Sequence, residues 1–283
     1  MEIPITNKQS VGLYYYNFNN FGDLLNELIM DHLHVPYHYE DFPTADLMCI
    51  GSLMERLIPG GKIGHTYEKG QQSALRDKPI HIWGTGLMFQ YQGQIEHPVR
   101  PLVIHALRGE HTQSQLSKAV GNQIDCVLAD PGLLASFIIK KEEPLYDVGL
   151  IPHYHDKELP IFREMQKAYR NAVIIDVQND PSSVLKKISQ CRTVFSSSLH
   201  GIIVADSYNI PNCWCIASNH PWIGEDKFHD YFSSYGKDRD GVYLQDGTIP
   251  DPDKVCKRSF RFYHAVKRKQ KALLKSFPFL LET

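Results

Sequence analysis

The strongest chemical signal in the sequence is a hydroxyl-rich turn followed at once by a histidine. A β-branched run ends at three serines and a helical pattern begins, so that one turn contains Ser196, Ser197, Ser198, His200 and Gly201. Hydroxyl groups, the N–H groups of a helix N-terminus and the positive end of its dipole form a site for phosphate or carboxylate. The near-neutral pKa of imidazole suits His200 to proton transfer, although a histidine can also be a hydrogen-bonded core residue.

Other polar residues lie where further predicted strands end. Arg108 follows an apolar strand and precedes a glycine, which predicts a bidentate anion clamp pointing into a cleft. The loop after the first strand contains Asn20, Gly22 and Asp23, and Asp23 either caps the next helix or contacts a ligand. Asp130 precedes a proline, a pattern typical of a helix cap.

Short β-rich runs alternate with helical patterns, which predicts an α/β fold of parallel sheets covered by helices. The predicted strands are Val11–Tyr16, Leu47–Ile50, Ile80–Trp83, Leu102–Ala106, Cys126–Leu128, Tyr146–Ile151, Ala172–Asp176, Thr193–Phe195, Cys213–Ile216 and Val242–Leu244. The predicted helices are Gly22–His34, Ser52–Leu57, Glu110–Val120, Pro160–Tyr169, Pro181–Gln190, Leu199–Tyr208 and Asp251–Lys275. A polar linker at 140–144 predicts two Rossmann-like domains, 1–143 and 144–283, which face each other across a cleft.

Ligands of open α/β sheets bind beyond the carboxyl ends of the strands. The loops predicted to reach a ligand are 17–23, 51–52, 84–86, 107–110, 129–132 and 196–201. None of them has the pattern GxGxxG or GxxxxGK[ST], so a nicotinamide or ATP site lacks its motif.

Composition and charge narrow the class of protein. The 283 residues are 42% hydrophobic and carry a net charge of −2, so we expect a globular protein without a nucleic-acid partner. No secretory signal is visible, and the longest apolar run, 133–139, is too short to span a membrane. Cys213 and Cys215 have no further zinc ligands nearby, so we expect no metal. The cysteines are then expected to be structural thiols in a reducing compartment, which predicts a cytosolic location.

Six motifs in order resemble the polysaccharide pyruvyl transferase family. The segment Ser196–Pro211, with its Ser-Leu-His-Gly turn, is similar to the family signature, and so is the opening Asn20–Asn26. The remaining blocks are Leu107–Glu110, Asp130–Leu134, Val148–His153 and Lys227–Ser234. The resemblance covers roughly residues 11 to 245.

The resemblance implies a GT-B-like fold and the transfer of pyruvate from phosphoenolpyruvate to a sugar as a ketal, with no cofactor. His200 would deliver a proton to C3 or to the leaving phosphate, and Asp23 would accept the proton of the sugar hydroxyl. The residues expected to bind substrate are Arg108, Ser196, Ser197, Ser198, Gly201, Asn20, Gly22 and Lys227. The acceptor would be a galactose- or glucose-containing glycan of a bacterial capsule or exopolysaccharide, carried on a polyprenyl lipid.

One position departs from the family pattern. Many relatives carry an arginine directly before Leu-His-Gly, whereas this chain has Ser198. A serine can hydrogen-bond a phosphate oxygen but contributes no charge. We therefore expect either that Arg108, Arg192 or Lys227 supplies more of the positive charge or that the anion binds less tightly.

The stretch 254–275 carries nine positive charges interleaved with apolar residues. One interpretation is an amphipathic helix that packs on the first domain. The other is a surface that docks on anionic lipid at the inner face of the cell membrane. The two interpretations are compatible.

Two other classes of function remain open. A GT-B-type glycosyltransferase that uses a nucleotide sugar would share the fold, and Glu225 or Asp226 would then contact the ribose. A sugar-binding protein without catalytic activity is the third class, and the many polar loop ends disfavour it.

Overall fold

The computed structural model describes residues 10–57, 79–91, 98–220, 223–236, 239–244, 247–254 and 263–279. These residues form two β-sheets with helices packed against them, which confirms the predicted α/β class. Within the described ranges, every strand pairing is parallel.

The N-terminal sheet is built from short, mostly apolar strands. They are β1 (Val11–Tyr14), β2 (Tyr37–Tyr39), β3 (Leu47–Met48), β4 (Ile80–Trp83), β5 (Leu102–Leu107) and β6 (Val127–Leu128). Their order in the sheet is β2-β1-β3-β4-β5-β6. The strands β1 and β3 are fully buried, as expected for a parallel sheet covered on both faces.

The C-terminal sheet repeats this winding. It consists of β7 (Tyr146–Ile151), β8 (Ala172–Ile174), β9 (Cys191–Ser196), β10 (Asn212–Ile216) and β11 (Val242–Tyr243), in the order β11-β10-β9-β7-β8. In each sheet the second strand lies on one side of the first, and the third lies on the other. The sheets therefore have topological switch points between β1 and β3 and between β7 and β9, where α/β proteins bind ligands.

The α-helices described are α1 (Phe21–His32), α2 (Glu110–Val120), α3 (Ala135–Ile138), α4 (Pro160–Ala168), α5 (Pro181–Ser189), α6 (Leu199–Ser207), α7 (Asp226–Ser233) and α8 (Tyr263–Ser276). Short 3₁₀ helices lie at Met54–Arg56 and Pro131–Leu134. The predicted bounds of β4, β7 and α2 are confirmed, and most other predicted ends differ by one or two residues. Part of the predicted helix 251–275, namely 255–262, lies outside the described residues.

The sequence patterns did not predict β2 or α7. The strand β2 has only three residues, all partly or fully exposed, so it lacks an apolar signature. The helix α7 buries the charged residues Lys227 and Asp230, so its buried face lacks the apolar pattern typical of a packed helix. Both elements depend on contacts that are distant in sequence.

The helix α8 packs on the N-terminal sheet. Val266 and Leu273 are buried, the indole N–H of Trp83 donates to the Leu273 carbonyl at 3.2 Å, and Gln270 donates to the Leu133 carbonyl at 2.7 Å. The apolar face of α8 is thus covered by protein. Among the helices of the described ranges, none combines the length and apolar character needed to cross a bilayer.

Candidate active site

A cavity of about 580 Å³ lies at the carboxyl ends of both sheets. Its walls come mainly from the segments that follow β1, β3, β7 and β9, the strands that flank the two switch points. The lining residues are Tyr16, Phe18, Asn20, Asp23, Gly51, Ser52, Leu53, Glu55, Arg56, Met88, His153, Tyr154, His155, Ser198, Leu199, His200 and Lys227. The cavity therefore occupies the expected ligand position of parallel α/β sheets.

His200 lies in the first turn of α6 with its side chain 12% exposed. Its ring packs edge-to-face on Phe21, with the ring centroids 6.5 Å apart. Gly22 permits this close approach, because a Cβ at that position would lie 2.7 Å from the Cγ of His200 and closer still to Nδ1. Burial, together with the positive charges of Arg108 and Lys227, lowers the pKa of His200 to about 3. The imidazole of the unliganded site is therefore neutral at pH 7.

The three serines of the turn contribute in different ways. The Oγ of Ser196 accepts the N–H of Ser198 at 3.0 Å, and the Oγ of Ser197 accepts the N–H of His153 at 2.9 Å. A Cβ at Gly201 would collide with the Ser196 hydroxyl, so these buried groups shape the turn. Of the three serines, Ser198 alone lines the cavity, and its side chain does not cap α6. The N-terminus of α6 is thus open to an anion.

Lys227, Asp23 and Asn20 bring polar and charged groups to the same wall. Burial and the nearby Arg108 lower the pKa of Lys227 to about 7, although Asp23 and Asp156 act in the opposite direction. Asp23 accepts a hydrogen bond from the Asn20 amide at 2.7 Å, and burial raises the pKa of Asp23 to about 6. A cation and a carboxylate that titrate near neutrality in one cavity are typical of catalytic sites.

The structure does not place Arg108 at the cavity wall. Its side chain is 1% exposed, and its Nε donates to Asp230 at 2.9 Å, while other N–H groups donate to Ser52 Oγ and the Leu87 carbonyl. A Cβ at Gly109 would collide with the main chain of Asp230, so this glycine permits the pairing. Because Asp230 comes 122 residues later, the guanidinium joins the two halves of the chain.

The cations expected to offset Ser198 lie in different places. Lys227 lines the cavity, whereas Arg192 is exposed and pairs with Asp147 at 3.3 Å. Arg56, which the sequence patterns did not single out, also lines the cavity. In the described part of the chain, Lys227 and Arg56 are therefore the lysine and arginine that line the cavity.

Arg108→Met is expected to destabilise the fold. It would leave the buried Asp230 carboxylate without its counter-ion, which lowers the free energy of unfolding by about 3–5 kcal/mol. Urea denaturation followed by circular dichroism measures this loss. Arg192→Met, which removes an exposed pair, is the control and should change stability by less than about 1 kcal/mol. Equal stability of the two variants would contradict the structural role of Arg108.

Several lining residues were not predicted from the sequence. Burial lowers the pKa of His153 to about 2 and raises the pKa of Glu55 to about 7. Tyr154 and His155 continue the wall after β7. The rule that ligands bind after strand ends would have selected the loop after β7. Glu55 lies in the 3₁₀ helix Met54–Arg56, and no motif in the sequence marks it as a site residue.

The residues expected for a nucleotide-sugar enzyme do not line this cavity. Asp226 accepts the N–H of Gln90 at 2.8 Å, and Glu225 contacts the Tyr243 hydroxyl at 3.3 Å. Within the described ranges, no group of histidine, cysteine and acidic side chains is arranged to hold a metal ion. The described cysteines are free thiols, at positions 49, 126, 191, 213 and 215.

Comparison with known proteins defines the class. The profile of the family described as polysaccharide pyruvyl transferase matches residues 57–220, more than half of the chain. The chain therefore belongs to the polysaccharide pyruvyl transferase family, which confirms the resemblance seen in its motifs. Its class of activity is pyruvyl transfer in polysaccharide biosynthesis.

Two relatives match most of the chain. The uncharacterized protein L143 of Acanthamoeba polyphaga mimivirus is 29% identical over 243 residues, which cover 83% of this chain and 78% of the viral protein. The succinoglycan biosynthesis protein ExoV of Rhizobium meliloti is 24% identical over 229 residues. That match covers 79% of this chain and 64% of ExoV, slightly less than two thirds of its length.

Proposed function

We propose that the protein transfers the pyruvyl group of phosphoenolpyruvate to two hydroxyl groups of a sugar in a bacterial capsule or exopolysaccharide, forming a ketal. The observation that carries this proposal is that the uncapped N-terminus of α6, Lys227 and His200 share one cavity at both switch points. Helix N-termini and ammonium groups bind anions, and phosphoenolpyruvate carries both a phosphate and a carboxylate. Phosphoenolpyruvate serves as the donor substrate, with no separate cofactor.

His200 and Asp23 are the proposed acid and base. His200 protonates C3 of the enol phosphate, and the sugar oxygen forms a bond to C2 while Asp23 accepts the hydroxyl proton. The bond between C2 and the phosphate oxygen breaks and phosphate leaves. The second hydroxyl then bonds to C2, gives its proton to the neutral His200 and closes the ketal. One phosphoenolpyruvate and one sugar diol thus give one ketal and one phosphate. The charge of the bound phosphate favours protonation of His200, which counteracts the effect of burial.

An aromatic wall marks the proposed acceptor side. The rings of Tyr16 and Phe18 lie 6.0 Å apart, and those of Phe18 and Tyr154 lie 5.3 Å apart. Tyr16 is 50% exposed in spite of its size. Apolar ring faces suit the C–H faces of a pyranose, and the neighbouring polar groups can bind its hydroxyls. We therefore place a galactose- or glucose-containing acceptor, carried on a polyprenyl lipid, on this wall.

The two sheets are proposed to form separate Rossmann-like domains, 1–143 and 144–283, in a GT-B-like arrangement. Each sheet has its own switch point, and the cavity lies at both of them. The connection before β7 is largely exposed, as expected for a linker.

A cytoplasmic location, with contact to the inner face of the cell membrane, is proposed from α8. Its exposed basic side chains are Lys267, Arg268, Lys271 and Lys275. Because the apolar face of α8 is buried, lipid contact would be electrostatic. Binding to anionic vesicles at low salt and release at high salt would support this contact. No binding at low salt would contradict it.

The central experiment incubates the protein with phosphoenolpyruvate and a panel of lipid-linked or synthetic galactosides and glucosides. Mass spectrometry should detect a product heavier than the acceptor by pyruvic acid minus water, with one phosphate released per product. Thermal-shift assays compare phosphoenolpyruvate with UDP- and GDP-sugars. Stabilisation by a nucleotide sugar alone would contradict the proposal and favour the glycosyltransferase.

Gly22→Ala is expected to lower kcat roughly 100-fold, because the added methyl group displaces the His200 ring and small misplacements are costly in catalysis. Steady-state kinetics and thermal unfolding measure activity and folding. Gly12→Ala is the control, since its methyl group would also make a tight contact, with Glu40 Cβ at 3.1 Å, but away from the cavity. Wild-type turnover in Gly22→Ala would show that this contact does not position His200.

A further inference from the structure

Two buried polar atoms face each other beside the cavity. His200 Nε2 and Asp130 Oδ2 lie 3.9 Å apart, and in the part of the chain that the structure describes neither atom has a hydrogen-bond partner. The Asp130 side chain is 1% exposed. Buried polar atoms in native proteins are nearly always paired, and a shift of about 1 Å would bring these two into hydrogen-bond range.

The predicted cap accounts for only one oxygen of Asp130. Its Oδ1 accepts the N–H of Gly132 at 2.8 Å and caps the 3₁₀ helix Pro131–Leu134. This bond fixes the plane of the carboxyl group and leaves Oδ2 directed at α6. Capping therefore explains the position of Oδ1 but not the proximity of Oδ2 to His200 Nε2.

We infer that Asp130 is a positioning residue for His200: its carboxylate accepts a hydrogen bond from Nε2–H and leaves the Nδ1 edge, beside Gly22, for the substrate. This role presupposes the proposed function of His200 as the proton donor. A carboxylate behind an imidazole selects the tautomer and stabilises the imidazolium that forms during proton transfer.

A carboxylate beside His200 would offset the positive charges that act on its imidazole. Arg108 at the end of β5 and Lys227 in α7 both oppose protonation of the imidazole. His153, which follows β7, has its pKa lowered to about 2 by burial and is therefore uncharged near neutrality. From α1, Phe21 and Gly22 contribute no charge, whereas Asp23 lines the same cavity and has its pKa raised to about 6 by burial. Asp130 is the acidic group nearest to His200 in the described part of the chain.

Asp130→Asn tests this arrangement because it can keep the cap. The amide oxygen would accept the Gly132 N–H, and the amide N–H₂ would face Nε2, which must then accept a hydrogen bond. Burial raises the pKa of Asp130 to about 7, so the spectra are recorded at a pH well above 7, where its carboxyl group is ionised. Long-range ¹H–¹⁵N NMR of ¹⁵N-histidine-labelled protein should then show an Nε2–H tautomer of His200 in the wild type and an Nδ1–H tautomer in the variant. The His200 signals are assigned by their loss in His200→Ala.

The activity should change together with the tautomer. We expect kcat of Asp130→Asn to fall by roughly 100-fold or more. The loss of the carboxylate also lowers the pKa of His200, so the high-pH limb of the kcat profile should move to lower pH.

Asp180→Asn is the matched control. Asp180 also precedes a proline and accepts the N–H of Ser183 at 2.8 Å, at the start of α5, but it does not line the cavity. Its variant should keep the wild-type tautomer of His200 and the wild-type kcat. An equal loss of kcat in both variants would assign the effect to capping and overturn the inference.

The wild-type spectrum decides the question even if Asp130→Asn does not fold. An Nδ1–H tautomer of His200 in the wild type overturns the inference, and so does wild-type kcat in a folded Asp130→Asn variant. The NMR measurement needs no substrate. An Nε2–H tautomer in a protein that does not turn over phosphoenolpyruvate would therefore support the pair and count against the proposed function alone.

Discussion

His200→Ala is expected to lower kcat by roughly 1000-fold, because general acid catalysis by a positioned histidine contributes about 100- to 10,000-fold. His200 lines the cavity at the uncapped terminus of α6, where both the anion and the transferred proton are proposed to lie. The hydrogen bonds that hold this turn are made by Ser196 and Ser197 and not by the His200 ring, so its removal should leave the turn intact. Phosphate release that depends on phosphoenolpyruvate and a glycan acceptor measures the loss.

His32→Ala is the control for this variant. His32 is also partly buried, and its ring stacks on Phe137, away from the cavity. It should retain wild-type kcat, and thermal unfolding should show both variants folded. Wild-type kcat in His200→Ala would remove His200 from the mechanism.

Lys227→Met is expected to raise the dissociation constant of phosphoenolpyruvate roughly 100-fold, since loss of a charged partner of a buried anion costs several kcal/mol. Lys227 is a cation on the same wall as Ser198, which contributes no charge to the site. Titration calorimetry with phosphoenolpyruvate measures the change. An unchanged dissociation constant would place the donor elsewhere.

The pH dependence of binding gives a second measurement on the same residue. The pKa of Lys227 is lowered to about 7 by burial and by Arg108, so the ammonium group loses its proton as the pH rises through neutrality. The affinity for the anion should therefore fall above pH 7 in the wild type. Ionisation of the ligand is common to both proteins, so the difference between wild type and Lys227→Met isolates this effect.

Lys157→Met is the control for the loss of a lysine. Lys157 is partly exposed, pairs with Asp176 at 3.5 Å and does not line the cavity. Its substitution should leave both the dissociation constant and its pH dependence unchanged. A loss of affinity in both variants would indicate a general electrostatic effect on the anion.

The elements that the sequence predicted well have local causes. The helix α2 begins after Gly109, which is extended, and ends at Gly121, which has a left-handed φ of 72°. Both ends are therefore determined by glycines next to the helix in the sequence. The strands β4 and β7 are apolar runs whose burial follows from composition. By contrast, α7 was not predicted because its buried face includes Lys227 and Asp230. Such residues can be buried only when another part of the chain supplies compensating charges.

The residues of the site also differ in whether their positions have local or long-range causes. The sequence by itself determined an α/β chain with a histidine and three serines at a strand-to-helix turn, because strand, turn and helix patterns are local. Only the tertiary structure decided which of these groups reach the cavity: Ser198 does, whereas Ser196 bonds within the turn and Ser197 accepts the N–H of His153. It also paired Arg108 with Asp230 and brought Asp130 to His200. These contacts join residues 70 or more positions apart, so no local pattern could predict them.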